Sequence, residues 1–306
     1  MLVVLVCGLL RGLATSAQPS ENMPASANEF LRQVVANEIT AENQDHSHWA
    51  FRLQTEKAGR TEIDEVVETK DGNLRLPLSL NGTPLTAKQK QEAKLQLQKL
   101  VHDPDALRRS LREQNEDAAR TQNFLKLLPD AFIFSYDGPA ADELVKLKFS
   151  PNPQFHPQSR EAQVLHAMEG EMTVNSRQLR FAEVSGQLIR EVKFVGGWLG
   201  HLDKGGQFSA KQEQLSPGLW ELTALNVQMQ GKALFFKTIS VQQKILRSDF
   251  RRVSDDLTLA QAVDILDKSA LDSTDAARGA APCASLVHHA HHWLGYSIFS
   301  GNYFFK

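Results

Sequence analysis

The sequence predicts an α+β fold: a wide, curved antiparallel β-meander, unclosed like half a barrel, with an N-terminal helix and an inserted helical hairpin. Three observations predict it. Apolar residues alternate at period two through most of residues 132–245. Gly-, Asn- and Asp-containing turns punctuate those runs at short intervals. Between residues 86 and 128 the apolar period changes to that of a helix. A sheet of such width must twist, and wide sheets curl or close.

The elements follow in order. Leu2 to Leu10 (LVVLVCGLL) is an apolar run followed by small residues ending at Ala17. That is the pattern of a secretory signal over residues 1–17, too short to span a bilayer. No Lys or Arg precedes the run, a departure that a start codon placed further upstream would remove. Residues 18–27 read as a polar linker. Asn28 to Glu38 then places Phe30, Leu31, Val34 and Val35 on one side of a helix. Trp49, Phe51 and Leu53 alternate as a half-buried strand, and Lys57-Ala58-Gly59 turns it into a second strand around Ile63–Thr69. Asp71-Gly72 is a strong hairpin signal. Beyond it Leu74, Leu76, Leu78 and Leu80 recur at period two, and Pro77 among them marks a sheet edge or a bulge.

After the turn Asn81-Gly82-Thr83-Pro84, Thr86 and Gln89 form a capping box that opens a helix to about Val101. Asp103-Pro104 opens another, with Leu107, Leu111, Ala118 and Leu125 at helical spacing and Pro129 closing it. This hairpin, residues 86–128, is expected to cover one face of the sheet. Phe132, Phe134 and Tyr136 then alternate, as do Val145, Leu147 and Phe149. A Pro-rich loop, Ser150–Pro157, precedes six further strands: Val164–Val174, Leu179–Val184, Leu188–Leu199, Phe208–Leu215, Leu219–Met229 and Leu234–Ile245. Gly196-Gly197 suits a bulge or sharp bend, Gln230-Gly231 a turn, and a phase slip at Ala224-Leu225 a second bulge. The main domain thus runs over residues 28–253. In residues 254–306, Leu257–Leu271 reads as an acidic helix, Ser273–Pro282 as disordered, and the rest as a poorly ordered His-rich tail.

Chemistry is sparse. A net charge of −2 lacks the basic footprint that nucleic-acid binding requires. Cys7 lies within the signal, so Cys283 is left without a disulfide partner and the fold rests on its core. His288, His289, His291 and His292 are close enough to bind Zn, Ni or Cu, but no folded frame surrounds them; they are read as structural, and no metal or cofactor is assigned. His46 and His48 lack a third ligand. No nucleophile elbow, zinc-binding H-E-x-x-H helix or phosphate loop is present, and no catalytic residue is assigned. An enzyme would need a site formed only in three dimensions, from two or more of His156, His166, His201, Asp203 and Glu221. The acidic run Glu62, Asp64, Glu65 and Glu68 reads as the wet face of a strand. Aromatic residues are the remaining candidates. Phe132, Phe134, Phe194, Trp198, Phe208, Trp220, Phe235 and Phe236 either fill a core or, if the sheet curls without closing, line in part a cavity for acyl chains, for which all but Phe235 are named.

The tract VGGWLGHLDKGGQF…LSPGLWELTALNVQMQGKALFFKTISV, Val195 to Val241, resembles uncharacterised exported bacterial proteins. The plan of signal, N-terminal helix, wide meander and inserted helices resembles the periplasmic outer-membrane lipoprotein-carrier (Lol-type) superfamily. That resemblance covers residues 28–253 at the level of architecture. It implies an unclosed barrel whose helices lid a hydrophobic cavity for lipoprotein acyl chains or related lipids. It transfers no individual residue, and the Thr86–Leu128 hairpin and the acidic C-terminal extension depart from it. The expectation is an exported, periplasmic or envelope-associated, non-catalytic binder of a lipid or lipidated protein. The alternative is a structural or interaction module of the cell envelope, solid inside. Its basic stretch Arg190–Arg252, with ten Lys/Arg against five Asp/Glu from Gly186 to Arg252, would meet an acidic partner.

Overall fold

Two arms of chain build the sheet, and they meet at strands almost 200 residues apart. The computed structural model describes residues 24–138, 143–197, 200–233 and 237–277. After helix α1 (Ala27–Gln44), the first arm runs outward through β1 (His48–Lys57), β2 (Arg60–Val67), β3 (Leu74–Leu80) and the two-residue β4 (Thr83–Pro84). Helices α2 (Ala87–Val101) and α3 (Pro104–Ala131) carry the chain from that edge to the opposite one, β5 (Phe132–Tyr136). The second arm follows: β6 (Leu144–Pro151), α4 (Arg160–Leu165), β7 (Met168–Asn175), β8 (Arg180–Leu188), β9 (Val192–Phe194), β10 (Gly200–Leu202), β11 (Gln207–Ser216), β12 (Leu219–Ala233) and β13 (Lys237–Val253). Strand β13 pairs antiparallel with β1, from His48↔Val253 to Lys57↔Gln243. Helix α5 (Leu259–Ala277) completes the described chain. The result is an antiparallel sheet of 13 strands that does not close, with five helices among the described residues.

Local chemistry accounts for the joints. Ala58 and Gly59 both take positive φ (49° and 77°), the two-residue turn whose twist matches the flanking strands. Thr86 accepts from the Gln89 N–H and Gln89 reaches back to the Thr86 N–H, the reciprocal cap that starts α2. Asp103 caps α3 through the N–H groups of Asp105 and Ala106. Pro77 satisfies both expectations for it. The pairing with β2 slips by one residue beside it, and β4 reaches only Ser79 and Leu80, leaving Pro77 on the rim.

Several sequence expectations need correction. Helix α1 continues six residues past Glu38, to Gln44. Pro129 does not close α3, which runs to Ala131 and ends with the Phe132 N–H on the Leu128 carbonyl. The segment from Val164 is not yet strand: Ser159 accepts from the Ala162 N–H, starting α4, and β7 begins at Met168. Leu188–Leu199 is no single strand, because Gly196 and Gly197 at φ 64° and 96° reverse the chain between β9 and β10. Gln230-Gly231 is not a turn. Gly231 sits inside β12, where a Cβ would stand 2.0 Å from the His201 carbonyl oxygen, so the glycine permits close pairing with β10. The predicted slip at Ala224-Leu225 falls one residue earlier, where Thr223 is the extra residue opposite Lys211 and Gln212. The segment read as disordered from Ser273 is helical as far as Ala277. The signal, the His-rich tail and Cys283 lie outside the described residues.

Two apolar clusters flank the sheet. Neighbouring residues divide between them, Phe51 and Val66 to one and Ala50 and Val67 to the other, as strand alternation requires. The larger lies under α1 and α3, the smaller under α2 and α5, so the two helices expected to cover one face as a hairpin lie on opposite faces. Asn28 fastens α1 to the β5 edge. Its amide nitrogen donates to the carbonyls of Phe132 (2.8 Å) and Pro129 (3.0 Å), and its oxygen accepts the Phe134 N–H (2.9 Å). One side chain thus replaces the strand that an exposed edge would recruit.

Candidate functional site

The larger cluster is not completely filled. A cavity of about 130 Å³ lies between α3 and the inner sheet face. Its roof is Thr121, Phe124, Leu125 and Leu128, spaced i, i+3, i+4, i+7 so that all four descend from one side of α3. Its floor comes from β5 to β8, β11 and β12, including Phe132, Phe134, Phe149, Met172, Phe181, Val184, Phe208, Ala210 and Leu222. Engineered apolar cavities of about 150 Å³ stay dry and bind benzene.

Two glycines meet in the sheet beneath the rings of the floor. Phe134, Phe149, Gly170, Gly186 and Phe208 are successive cross-strand partners from β5 to β11. A Cβ at Gly170 would lie 2.7 Å from the Phe149 ring, and one at Gly186 2.7 Å from the Phe208 ring. The two rings therefore lean over the glycines from either side, a packing no side chain at 170 or 186 permits.

The roof is also a strap. Helix α3 passes the β2–β3 hairpin at its third turn, where Gln114 approaches Gly72, and ends at β5. Between those edges it touches α1 through Gln122, whose amide donates to Asn43 at 2.9 Å.

One end of the cavity is polar. Glu38 of α1 lines it and is only 5% exposed. Its carboxylate accepts from Arg180 Nε (2.9 Å) and Nη2 (3.2 Å), from the Phe181 N–H (3.3 Å) and from Gln212 Nε2 (3.1 Å). Such a fully hydrogen-bonded pair is how a buried charge is tolerated. Beyond it, where α1 ends, Glu221 stands 3.8 Å from Arg247. Burial and the nearby charges of Glu68 and Asp45 push its carboxyl up to about 7. Burial likewise pushes Glu68 up, against the Arg247 charge and the Trp49 N–H that it accepts.

Of the seven aromatic residues expected to line a cavity, Phe132, Phe134 and Phe208 do so. Phe194 is instead buried in the core beside β10, and Trp220 is half-buried with its Nε1–H on Gln178. Trp198 and Phe236 lie outside the described residues. Sequence reasoning missed Phe124, Leu125, Phe149, Phe181 and Leu222 as lining residues. The helical repeat in α3 was a usable signal; the cross-strand row was not, because it needs the register. The expected wet face of β2 is also wrong in part. Asp64 is buried with Arg75, and Glu65 is buried beneath α5 with Arg251 and Ser269.

Among the polar candidates, His201 and Asp203 meet at 3.2 Å at the end of β10. His166 contacts the Asn152 carbonyl and Arg190, and His156 borders an open groove with Asn28 and Arg32. No group of three or more His, Cys, Asp or Glu side chains among the described residues is placed to hold a metal ion. No described helix is long and apolar enough to cross a membrane.

The chain is similar to a solved crystal structure, that of a DUF1329 family protein from Desulfovibrio piger. Identity is 12%, the match covers 76% of this chain and 98% of that one, and the TM-score is 0.26. A score of that size leaves fold and function to be argued from this chain's own residues. No family model matches the sequence, and no curated protein does.

Proposed function

We propose that this protein is an exported, non-catalytic binder of an apolar chain, the acyl chain of a lipid or of a lipidated polypeptide, held between α3 and the open sheet. The observation that carries the reading is the apolar cavity roofed by one helix and floored by an unclosed sheet. Its volume of about 130 Å³ admits a benzene-sized part of a ligand without rearrangement. A longer chain requires α3 to swing outward, and burial of each methylene contributes about 0.8 kcal/mol toward that movement. An unclosed sheet accommodates such a swing without breaking a strand pair. Within the basic stretch on which the alternative of an interaction module rests, Arg251 is engaged by Glu65 and Arg252 by Asp255.

Native mass spectrometry of the purified full chain tests the proposal. Adducts of lipid mass that leave on denaturation are expected. A chain that carries no lipid, and takes none up from mixed phospholipid vesicles, would falsify it.

A further inference from the structure

The polar end of the cavity constrains the head group of an occupant. Glu38 already accepts four hydrogen bonds, and Arg180 lays its guanidinium fork against it. Gln212 also lines the cavity. Its Nε2 must face Glu38, because a carboxylate accepts and does not donate. That orientation leaves Gln212 Oε1 shielded from solvent and without a hydrogen-bond partner. Buried acceptors of this kind are rare and costly, and this one belongs to a residue bordering an empty space. Two further carboxylates border this end, Glu183 being exposed and set across the strand pair from Lys211. Glu183 lines the same cavity, and Glu42 lies close enough to Glu38 for their charges to interact.

We infer that the cavity takes a single-chain amphiphile whose head is a neutral hydrogen-bond donor, a hydroxyl, seated at Gln212. This inference rests on the cavity being a binding site. A hydroxyl supplies the one donor that Gln212 Oε1 lacks. A carboxylate head brings only acceptors to an end where that oxygen already lacks a donor and where the one buried cation, Arg180, is taken up by Glu38. An ammonium head has donors, but it must leave water for a site whose one deeply buried carboxylate is fully engaged, and desolvating it is costly.

Competition for the neutral dye N-phenyl-1-naphthylamine on the full chain at pH 8 tests this, with 1-octanol, octanoate and octylammonium as competitors. Octanol is expected to displace the dye about tenfold more effectively than either charged analogue, the scale of one unsatisfied buried acceptor. In Gln212→Met that advantage should shrink to about threefold or less, the part owed to ordinary partitioning. Leu222→Ala, which changes an apolar wall, should alter all three competitors alike. Equal or better competition by octanoate or octylammonium in the wild-type chain overturns the inference, as does an octanol advantage that survives in Gln212→Met. Dye that binds with no preference among heads removes the head-group assignment and leaves the cavity. Dye that does not bind at all removes both.

Discussion

The two faces of the sheet are packed by different rules. Under α2 and α5, Leu74, Leu76 and Leu78 project from β3 against Leu97, Leu257, Ala262, Leu266 and Ala270. The small residues on α5 let that helix lie close, and Glu65 fixes it from below through Ser269, while Arg251 covers the same carboxylate. Under α3 the roof is made by Phe124 and Leu125, both half-buried, with Leu128 buried at the β5 end, and space is left over. Both clusters are apolar, and both are roofed by amphipathic helices. The difference is that one helix is seated and the other spans a gap. A helix that spans a gap is the one a ligand can move.

The largest expected effect sharpens that contrast. Leu266→Ala opens a hole in the seated region, where Leu266 is fully buried. A loss of about 2–5 kcal/mol follows from comparable truncations. Leu125→Ala cuts the same atoms from the wall of an existing void, so the surroundings lose less, about 1–2 kcal/mol. Urea titrations with unchanged slope measure both. Equal losses would mean that the two regions are packed alike and the distinction is void.

Filling the gap should act in the opposite direction. At about 24 cal/mol per Å³, a void of about 130 Å³ costs roughly 3 kcal/mol. Ala210 lines it from β11, where a β-branched side chain is at home. Ala210→Ile is expected to stabilise the fold by about 1–2 kcal/mol and to abolish dye binding. A variant that is more stable yet binds the dye as before would place the ligand elsewhere. A destabilised variant would show that the space closes on itself in solution.

Much of this division was legible in the sequence, and the limits were physical. The leucines of β3 announce a buried face by period alone, and the caps at Thr86 and Asp103 announce α2 and the strap α3. What period cannot report is which strands become neighbours. The pairing of β1 with β13 closes a loop of about 200 residues, and no local signal encodes it. Without that pairing, the helical hairpin reads as an insertion between consecutive strands; with it, the hairpin is the crossover between the two edges of the sheet. The same gap explains the site. Phe132, Phe134 and Phe208 were selected for being aromatic on strands, and so was Trp220, which the register puts beside Gln178 instead. Gly231 illustrates the converse error: a glycine needed for contact with β10 carries the same letter as one needed for a turn.

The smallest expected effect concerns the charged borders of the two regions. Glu65, beneath α5, is pushed up by burial but countered by Arg251, Arg52 and Ser269. Glu221, beyond the polar end of the cavity, has Glu68 and Asp45 against it and is held less well by Arg247 and Arg180, so that it reaches about 7 from an ordinary 4.5. A carboxyl raised in this way binds its proton more tightly in the folded than in the unfolded chain. Its contribution to stability is therefore complete below about pH 4.5, and it is lost as pH rises through about 7. Glu221→Gln holds the group neutral at every pH. The variant should match the wild type near pH 5 and exceed it by about 1–2 kcal/mol at pH 8, a range kept below the full linkage value because the side chain is partly exposed. Denaturation at the two pH values measures it. A difference of the same size at both would mean that Glu221 acts through its contact with Arg247 and not through its proton.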